Sequence, residues 1–442
     1  MIPIVAIVGR PNVGKSTLFN RLTRSRDALV ADLSGLTRDR KFGRSQIGDR
    51  PFIVVDTGGL EAGETGIELE MSRQARMAIA ESDVVLFMVD ARSGVLAQDQ
   101  AIAEFLRRAE RPTYVLANKA EGVDRAIASA DFFSLGLGNP YAISASHGEG
   151  VKEVVEYISR EWPTLELGED QVEAIRVAVV GRPNVGKSTL INAWVGEDRV
   201  ISYDLPGTTR DAIEVPFKRG TDEFVLVDTA GLRKKGRVFQ TIEKVSVVKT
   251  LQAVEQADVV VLVIDAKEGL SDQDAHILGF VLDAGRAVVV AINKADSIDR
   301  RERDVIDASI SRKLAFADFA RKSFISATTR QGVDRVLRDV KAAYSAANAK
   351  LSTPRLTRAL ATAIERQAPP RNGLVRPKLR YAHQGGSAPP TIIVHGNSLE
   401  NIPESYTRFL EKHFREAFKL EGTPLRVQYR TGKNPFHAKA AR

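Results

Sequence analysis

Apolar residues along this chain fall in short unbroken runs, separated by stretches where they recur every three or four positions. The runs Ile4 to Val8, Phe52 to Val55, Val84 to Val89 and Tyr114 to Ala117 have the length and composition of buried strands. Leu18 to Leu22, Ile67 to Ile79 and Gln98 to Arg108 carry helical spacing. Strands alternating with helices predict a parallel sheet covered on both faces, an α/β unit over residues 1–160. Residues 161–173 break the pattern. They hold Pro163, Gly168 and five acidic side chains without periodicity, and read as a flexible acidic linker. The alternation resumes with the strand-like Val177 to Val180 and the helix-like Leu190 to Trp194, and a second α/β unit spans 174–349.

The two units are copies. Gly9-Arg10-Pro11-Asn12-Val13-Gly14-Lys15-Ser16-Thr17 recurs unchanged from Gly181 to Thr189. The offset of 172 holds from Thr37 to Thr209 and from Asp56 to Asp228, then grows to 175 at Asn118 and Asn293 and to 182 at Ser144 and Ser326. A whole domain has been duplicated, with insertions only in its later half.

Residues 352–433 follow another pattern. A helix over Leu356 to Gln367 ends at Pro369-Pro370, and strands are predicted at Lys378 to His383, Thr391 to His395 and Leu425 to Arg430. A helix over Glu404 to Lys419 carries Tyr406, Phe409, Leu410, Phe414 and Phe418 at helical spacing, a core stripe rather than a stacking face for nucleic acid. This is a small α+β unit, with a disordered tail over 434–442.

Composition narrows the context. At 442 residues, 43% hydrophobic and 27% charged, the chain is ordinary globular material too long for one core. It has no cysteine, which excludes disulfides and thiolate metal sites and suits a reducing cytoplasm. Six scattered histidines offer no zinc-type spacing, and no apolar run approaches the ~18 residues that cross a bilayer. The net charge of +8 is lopsided: residues 351–442 carry sixteen basic and six acidic side chains, and the rest is close to neutral. A basic C-terminal unit on a neutral body suggests a polyanionic partner.

The repeated loop has the spacing G-x-x-x-x-G-K-[ST]. Such a loop wraps backbone N–H groups around phosphate oxygens at a helix N-terminus. Gly9, Gly14, Lys15, Ser16 and Thr17, and Gly181, Gly186, Lys187, Ser188 and Thr189, are the phosphate-binding candidates. The lysines reach the β- and γ-phosphates, and Ser16 and Ser188 hold Mg²⁺. Thr37 and Thr209 lie in polar loops after the first helix of each unit, where they can meet Mg²⁺ and the γ-phosphate. Asp56 and Asp228 end strands and can bind Mg²⁺ through water, while the N–H groups of Gly59 and Gly231 can sense the γ-phosphate. Asn118, Lys119 and Glu121, then Ser144 and Ala145, sit where GTPases read the base; the second copy has Asn293, Lys294 and Asp296, then Ser326 and Ala327. A carboxylate at Asp296 accepts from guanine N1–H and the 2-amino group together, a donor pair that adenine lacks. Glu121 keeps the carboxylate one methylene further out. Taken singly, each short match is an ordinary strand-to-helix turn; their order and duplication carry the reading. Leu60 and Leu232 stand where many GTPases place a water-orienting glutamine, so intrinsic hydrolysis is slow or assisted from elsewhere, and the bland reading is that a different side chain stands in.

With its tandem loops, Asp-Thr-[Gly/Ala]-Gly-Leu elements, Asn293-Lys294-Ala295-Asp296 and basic C-terminal unit, the chain resembles the Der (EngA) family of bacterial GTPases. Lys378-Leu379-Arg380-Tyr381-Ala382, Ser405-Tyr406-Thr407-Arg408-Phe409-Leu410 and Glu421-Gly422-Thr423-Pro424 extend the resemblance into the third unit. It implies two Ras-like P-loop GTPase domains in tandem followed by a KH-like domain. It also implies GTP and GDP as ligands, Mg²⁺ and K⁺ as cofactors, and a role in assembling the large ribosomal subunit. Asn12 and Asn184 match the asparagines with which related GTPases hold potassium; a choice made for turn geometry is the bland reading. KH domains clamp RNA with a G-x-x-G loop, and no two glycines of the third unit stand three apart. RNA contact is then left to Arg and Lys surfaces, or the unit binds the GTPase domains. The expected partners are the large subunit or its precursors and rRNA, with no membrane, and the expected state is a monomer. A GTPase coupled to tRNA modification is the alternative, but it would need a catalytic or cofactor-binding third unit.

Overall fold

The computed structural model describes residues 2–23, 41–45, 47–48, 50–57, 73–160, 162, 174–196, 214–227, 247–371 and 376–431. They form two compact units, residues 1–170 with 246–252, and residues 171–245 with 253–442.

The first unit is built on β1 (Ile4–Val8), β2 (Lys41–Arg44), β3 (Ile53–Asp56), β4 (Val84–Asp90), β5 (Thr113–Asn118) and β6 (Tyr141–Ala142), in the order β2-β3-β1-β4-β5-β6. Five strands are parallel, but β2 runs antiparallel to β3, so the sheet is mixed rather than wholly parallel. The reason is connection length. Residues 45–52 are too few for the crossover of a dozen or so that parallel neighbours need.

Side chains alternate between the two faces. Val5, Ile7, Leu86 and Met88 enter one apolar layer, and Ala6, Val8, Val85, Phe87 and Val89 enter the other. All seven residues of β4 are buried, which is why its sequence reads as unbroken apolar rather than alternating. Trp162 falls within the stretch read as linker, yet it is buried against Phe52, with ring centroids 5.2 Å apart. Its carbonyl accepts from the Arg50 guanidinium. A Trp buries about 150–250 Å² of surface, enough to hold one residue of a polar stretch in a core.

The second unit repeats this plan with β7 (Ile175–Val180), β8 (Val215–Arg219), β9 (Asp222–Leu226), β10 (Val259–Asp265), β11 (Ala287–Asn293) and β12 (Arg321–Phe324), in the order β8-β9-β7-β10-β11-β12. Here the antiparallel edge pair β8–β9 turns on Gly220-Thr221, with Gly220 at φ +60°, a left-handed conformation that glycine adopts without Cβ strain.

The same unit includes β13 (Lys378–Gly386), β14 (Thr391–Asn397) and β15 (Arg426–Thr431), antiparallel and then parallel. Helices Thr353–Arg366 and Glu404–Phe418 cover one face of this sheet. Tyr406, Leu410 and Phe414 are buried there and Phe409 and Phe418 pack beside them, so the aromatic stripe is core. This sheet is fastened to the second GTPase-like sheet. The Val288 N–H of β11 donates to Gly422 O at 2.7 Å, and the Gly422 N–H donates to Phe319 O at 2.8 Å. An Arg321–Glu421 ion pair (2.7 Å) and an Arg426 bond to Asp283 O (2.6 Å) flank these contacts.

Candidate active sites

Each phosphate loop leaves the C-terminal end of a central strand, β1 or β7, and runs into a helix, Lys15–Thr23 or Lys187–Val195. Two glycines make the turn possible. A Cβ on Gly9 would collide with the Met88 carbonyl, and one on Gly181 with the Val263 carbonyl. Gly14 and Gly186 have φ of +100° and +96°, and a Cβ there would strike the side-chain amide of Asn118 or Asn293. Asn12 and Asn184 sit at φ +65° and +63°, exposed. Asparagine tolerates that left-handed conformation better than most side chains, so turn geometry is one reason for the residue type at both positions.

Lys15 turns back over its own loop. Its ammonium donates to Gly9 O and Arg10 O, both at 2.9 Å, and is nearly buried. Burial holds it below the ordinary lysine value; Asp56 opposes that shift and Arg10 adds to it. Lys187 donates to Arg182 O at 2.6 Å. Ser16 Oγ donates to Asp56 Oδ2 at 2.9 Å. This places a hydroxyl and a buried carboxylate side by side at a helix N-terminus, a donor set of hard oxygens that fits Mg²⁺. Thr17 and Thr189 are exposed beside them, as are Ser16 and Ser188.

Asn118 and Asn293 join the phosphate loop to the base-side loop. Asn118 Nδ2 donates to Val13 O at 2.7 Å while its Oδ1 accepts from the Ala145 N–H at 2.8 Å. Asn293 makes the same two bonds, to Val185 O at 2.8 Å and from the Ala327 N–H at 2.9 Å. Lys119 and Lys294 have left-handed backbones and pair with Asp90 and Asp265, each at 2.6 Å. Burial pushes both aspartates up, but the lysine hydrogen bond and nearby backbone N–H groups outweigh it and leave them below the usual carboxylate range.

The two base pockets differ. Glu121 is drawn below its ordinary value by its own backbone N–H and then by the Ser144 hydroxyl. Its Oε1 also pairs with Arg92 at 2.6 Å. In the second copy Lys267 occupies the place of Arg92, and Asp296 is exposed. Ser144 Oγ lies 3.0 Å from His147 Nδ1, whereas Ser326 Oγ accepts from the Thr329 N–H at 3.2 Å.

Family comparison agrees with this geometry. Residues 4–119 and again 176–294 match the model described as "50S ribosome-binding GTPase". Residues 350–430 match "KH-domain-like of EngA bacterial GTPase enzymes, C-terminal". A GTPase Der from Azoarcus sp. is 58% identical over 446 residues, covering 100% of both chains. Those of Aromatoleum aromaticum and Thiobacillus denitrificans are each 57% identical, covering 99% of this chain and 100% and 94% of theirs. The chain belongs to the GTPase Der family.

As a member of that family it is a GTP hydrolase that binds GTP and GDP. Its fold is two P-loop GTPase-like α/β sheets in tandem followed by a KH-like domain. No helix among the described residues is long and apolar enough to cross a membrane. Thr37, Gly59, Leu60, Thr209, Asp228, Gly231 and Leu232 lie outside the described residues.

The motif reading missed two pairs. Asp90 and Asp265 end β4 and β10 in Asp-Ala-[Arg/Lys], at the same offset of 175 that relates Asn118 to Asn293. The loop arginines Arg10 and Arg182 reach buried Asp99 and Asp274, at 3.5 and 3.0 Å. These aspartates lie in the first turns of helices Ala97–Arg108 and Asp272–Asp283. Laying one half of the chain over the other would have marked all of them.

Proposed function

We propose that this GTPase is a molecular switch in assembly of the large ribosomal subunit, binding rRNA or pre-ribosomal particles in a nucleotide-dependent way. The observation that carries the reading is the fastening of the KH-like sheet to β11. That strand begins next to the Val288–Gly422 bond and ends at Asn293, beside the base-reading residues Lys294 and Asp296. A change of nucleotide at the second site thus acts on a strand whose other end holds the basic unit. The description of the family model as ribosome-binding supports the choice of partner.

Within each site we assign Lys15 and Lys187 to the charge that builds between the β- and γ-phosphates during transfer. Gly9, Gly14 and Thr17, with Gly181, Gly186 and Thr189, shape the phosphate cradle. Ser16 and Asp56, with Thr37, hold Mg²⁺ in the first site, and Ser188, Asp228 and Thr209 hold it in the second; the ion would offset phosphate charge there. Gly59 and Gly231 report the γ-phosphate. Asn118, Lys119, Glu121, Ser144 and Ala145 receive the base in one site, and Asn293, Lys294, Asp296, Ser326 and Ala327 in the other. Asn12 and Asn184, exposed on the loop, are assigned to K⁺. Coupling to tRNA modification is the weaker reading, because the match at 350–430 is to a KH-like unit and not to a catalytic one.

Pelleting with ribosomal subunits tests the switch, using a non-hydrolysable GTP analogue, GDP or no nucleotide at two salt concentrations. The GTP state should pellet with large subunits more than the GDP state does, and the difference should shrink steeply with salt. Equal pelleting in all three states would remove the switch.

A further inference from the structure

The KH-like sheet has two faces, and the helices cover only one. Ala382, Ile392, Val394, Val427 and Tyr429 point into the core with those helices. Tyr381, His383, His395 and Arg430 alternate with them and belong to the opposite face. A bulge between Leu379 and Tyr381 sets this alternation. Without it Tyr381 would fall on the core side and Ala382 outside, so the extra residue re-aims the tyrosine.

The rings on that face form a stack. Tyr381 and His395 are register partners, with centroids 4.5 Å apart and planes within 3° of parallel. His383 lies 5.0 Å from His395. Because β13 is an edge strand among the described residues, no described strand lies beyond the Tyr381 end of the stack, and Tyr381 remains 45% exposed. His395 Nε2 is buried without a hydrogen-bond partner among the described residues. Burial, then the charges of His383 and Arg430, keep His395 below the ordinary histidine value. Exposed cations share this part of the unit: Arg430 is the register partner of His395 on β15, Lys378 and Arg380 lie on β13, and Arg376 just precedes it.

We propose that this open face binds single-stranded RNA, with one unpaired base extending the ring stack on Tyr381 and flanking phosphates held by Arg430 and the β13-edge cations. Every base has a π-face, so stacking suits RNA without demanding a sequence. The basic surroundings supply the charge complement, and no G-x-x-G clamp is needed. The inference deepens the ribosome-assembly reading and rests on it for the choice of RNA.

The test uses the full chain with a dye-labelled unstructured 12-nucleotide RNA, followed by anisotropy, and in parallel with large-subunit particles by pelleting. Tyr381→Ala should weaken RNA binding by about 5- to 150-fold, the range for losing one base–aromatic stack. Tyr381→Phe should stay within about 2-fold, because the ring and not the hydroxyl does the stacking. Arg430→Ala should lower the salt slope by about one. Unchanged melting and GTPase rate in each variant would show that the fold is intact. If Tyr381→Ala binds RNA as the wild type does, or Tyr381→Phe loses as much as Tyr381→Ala, the stacking face is wrong. The same holds if the wild type binds no RNA while still pelleting with particles. A wild type that fails to pellet with particles in any nucleotide state would instead overturn the ribosome-assembly reading itself.

Discussion

Asn293 offers the sharpest check on how the second site is built. Its side chain is 3% exposed and bridges Val185 O and the Ala327 N–H, which belong to buried residues of the phosphate loop and the base-side loop. Asn293→Ala removes both bonds and leaves a carbonyl and an N–H stranded. An unpartnered buried polar group costs about 1–3 kcal/mol, so the pair costs about 2–6 kcal/mol. For domains of this size melting falls by about 2–4 °C per kcal/mol. Calorimetry on nucleotide-free protein should therefore show the second unit melting at least about 4 °C lower, before any ligand is present. Asn118→Ala should do the same to the first unit by stranding Val13 O and the Ala145 N–H. Asn293→Asp should also lose stability, because it sets an oxygen against Val185 O. The decisive point is the ligand-free state. If Asn293→Ala melts within about 1 °C of wild type and loses only nucleotide affinity, the asparagine acts through the base alone and the staple is wrong.

Other outcomes follow from the two sites. Lys15→Ala and Lys187→Ala should each abolish turnover at one site, read as single-turnover GTPase rates; full rates in both variants would make at least one loop purely structural. Asp296→Asn should shift the second site towards xanthine nucleotides, measured by competition against labelled GDP, and equal competition by ATP in the wild type would refute the base assignment. Arg92→Ala should change guanine affinity at the first site only, since the Arg92–Glu121 pair has Lys267 in its place in the second copy; an equal effect at both sites would deny Arg92 that role. Hydrolysis should run faster in KCl than in matched NaCl if Asn12 and Asn184 hold potassium, and equal rates would leave their left-handed backbone as the whole reason for asparagine.

What the sequence alone determined was local or repeated. Unbroken apolar runs announced β1, β3 and β4 because a strand buried on both faces needs no alternation. The nine-residue repeat announced both phosphate loops because wrapping a phosphate demands glycine and lysine at fixed spacing. The stripe from Tyr406 to Phe418 announced a core helix through its period. Tertiary structure decided whatever depends on residues far apart in the chain. The antiparallel edges β2 and β8 are short and half-polar, and only their place beside β3 and β9 makes them strands. Trp162 looked like linker because it stands among acidic residues, Pro163 and Gly168 without periodicity, yet Phe52, more than a hundred residues earlier, buries it. Lys119 with Asp90, Arg92 with Glu121, and Tyr381 with His395 meet only once strands are set side by side. Hydrophobic period reports which side of an element is buried; it carries no record of what lies across from it, and partners across a sheet are chosen by the fold as a whole.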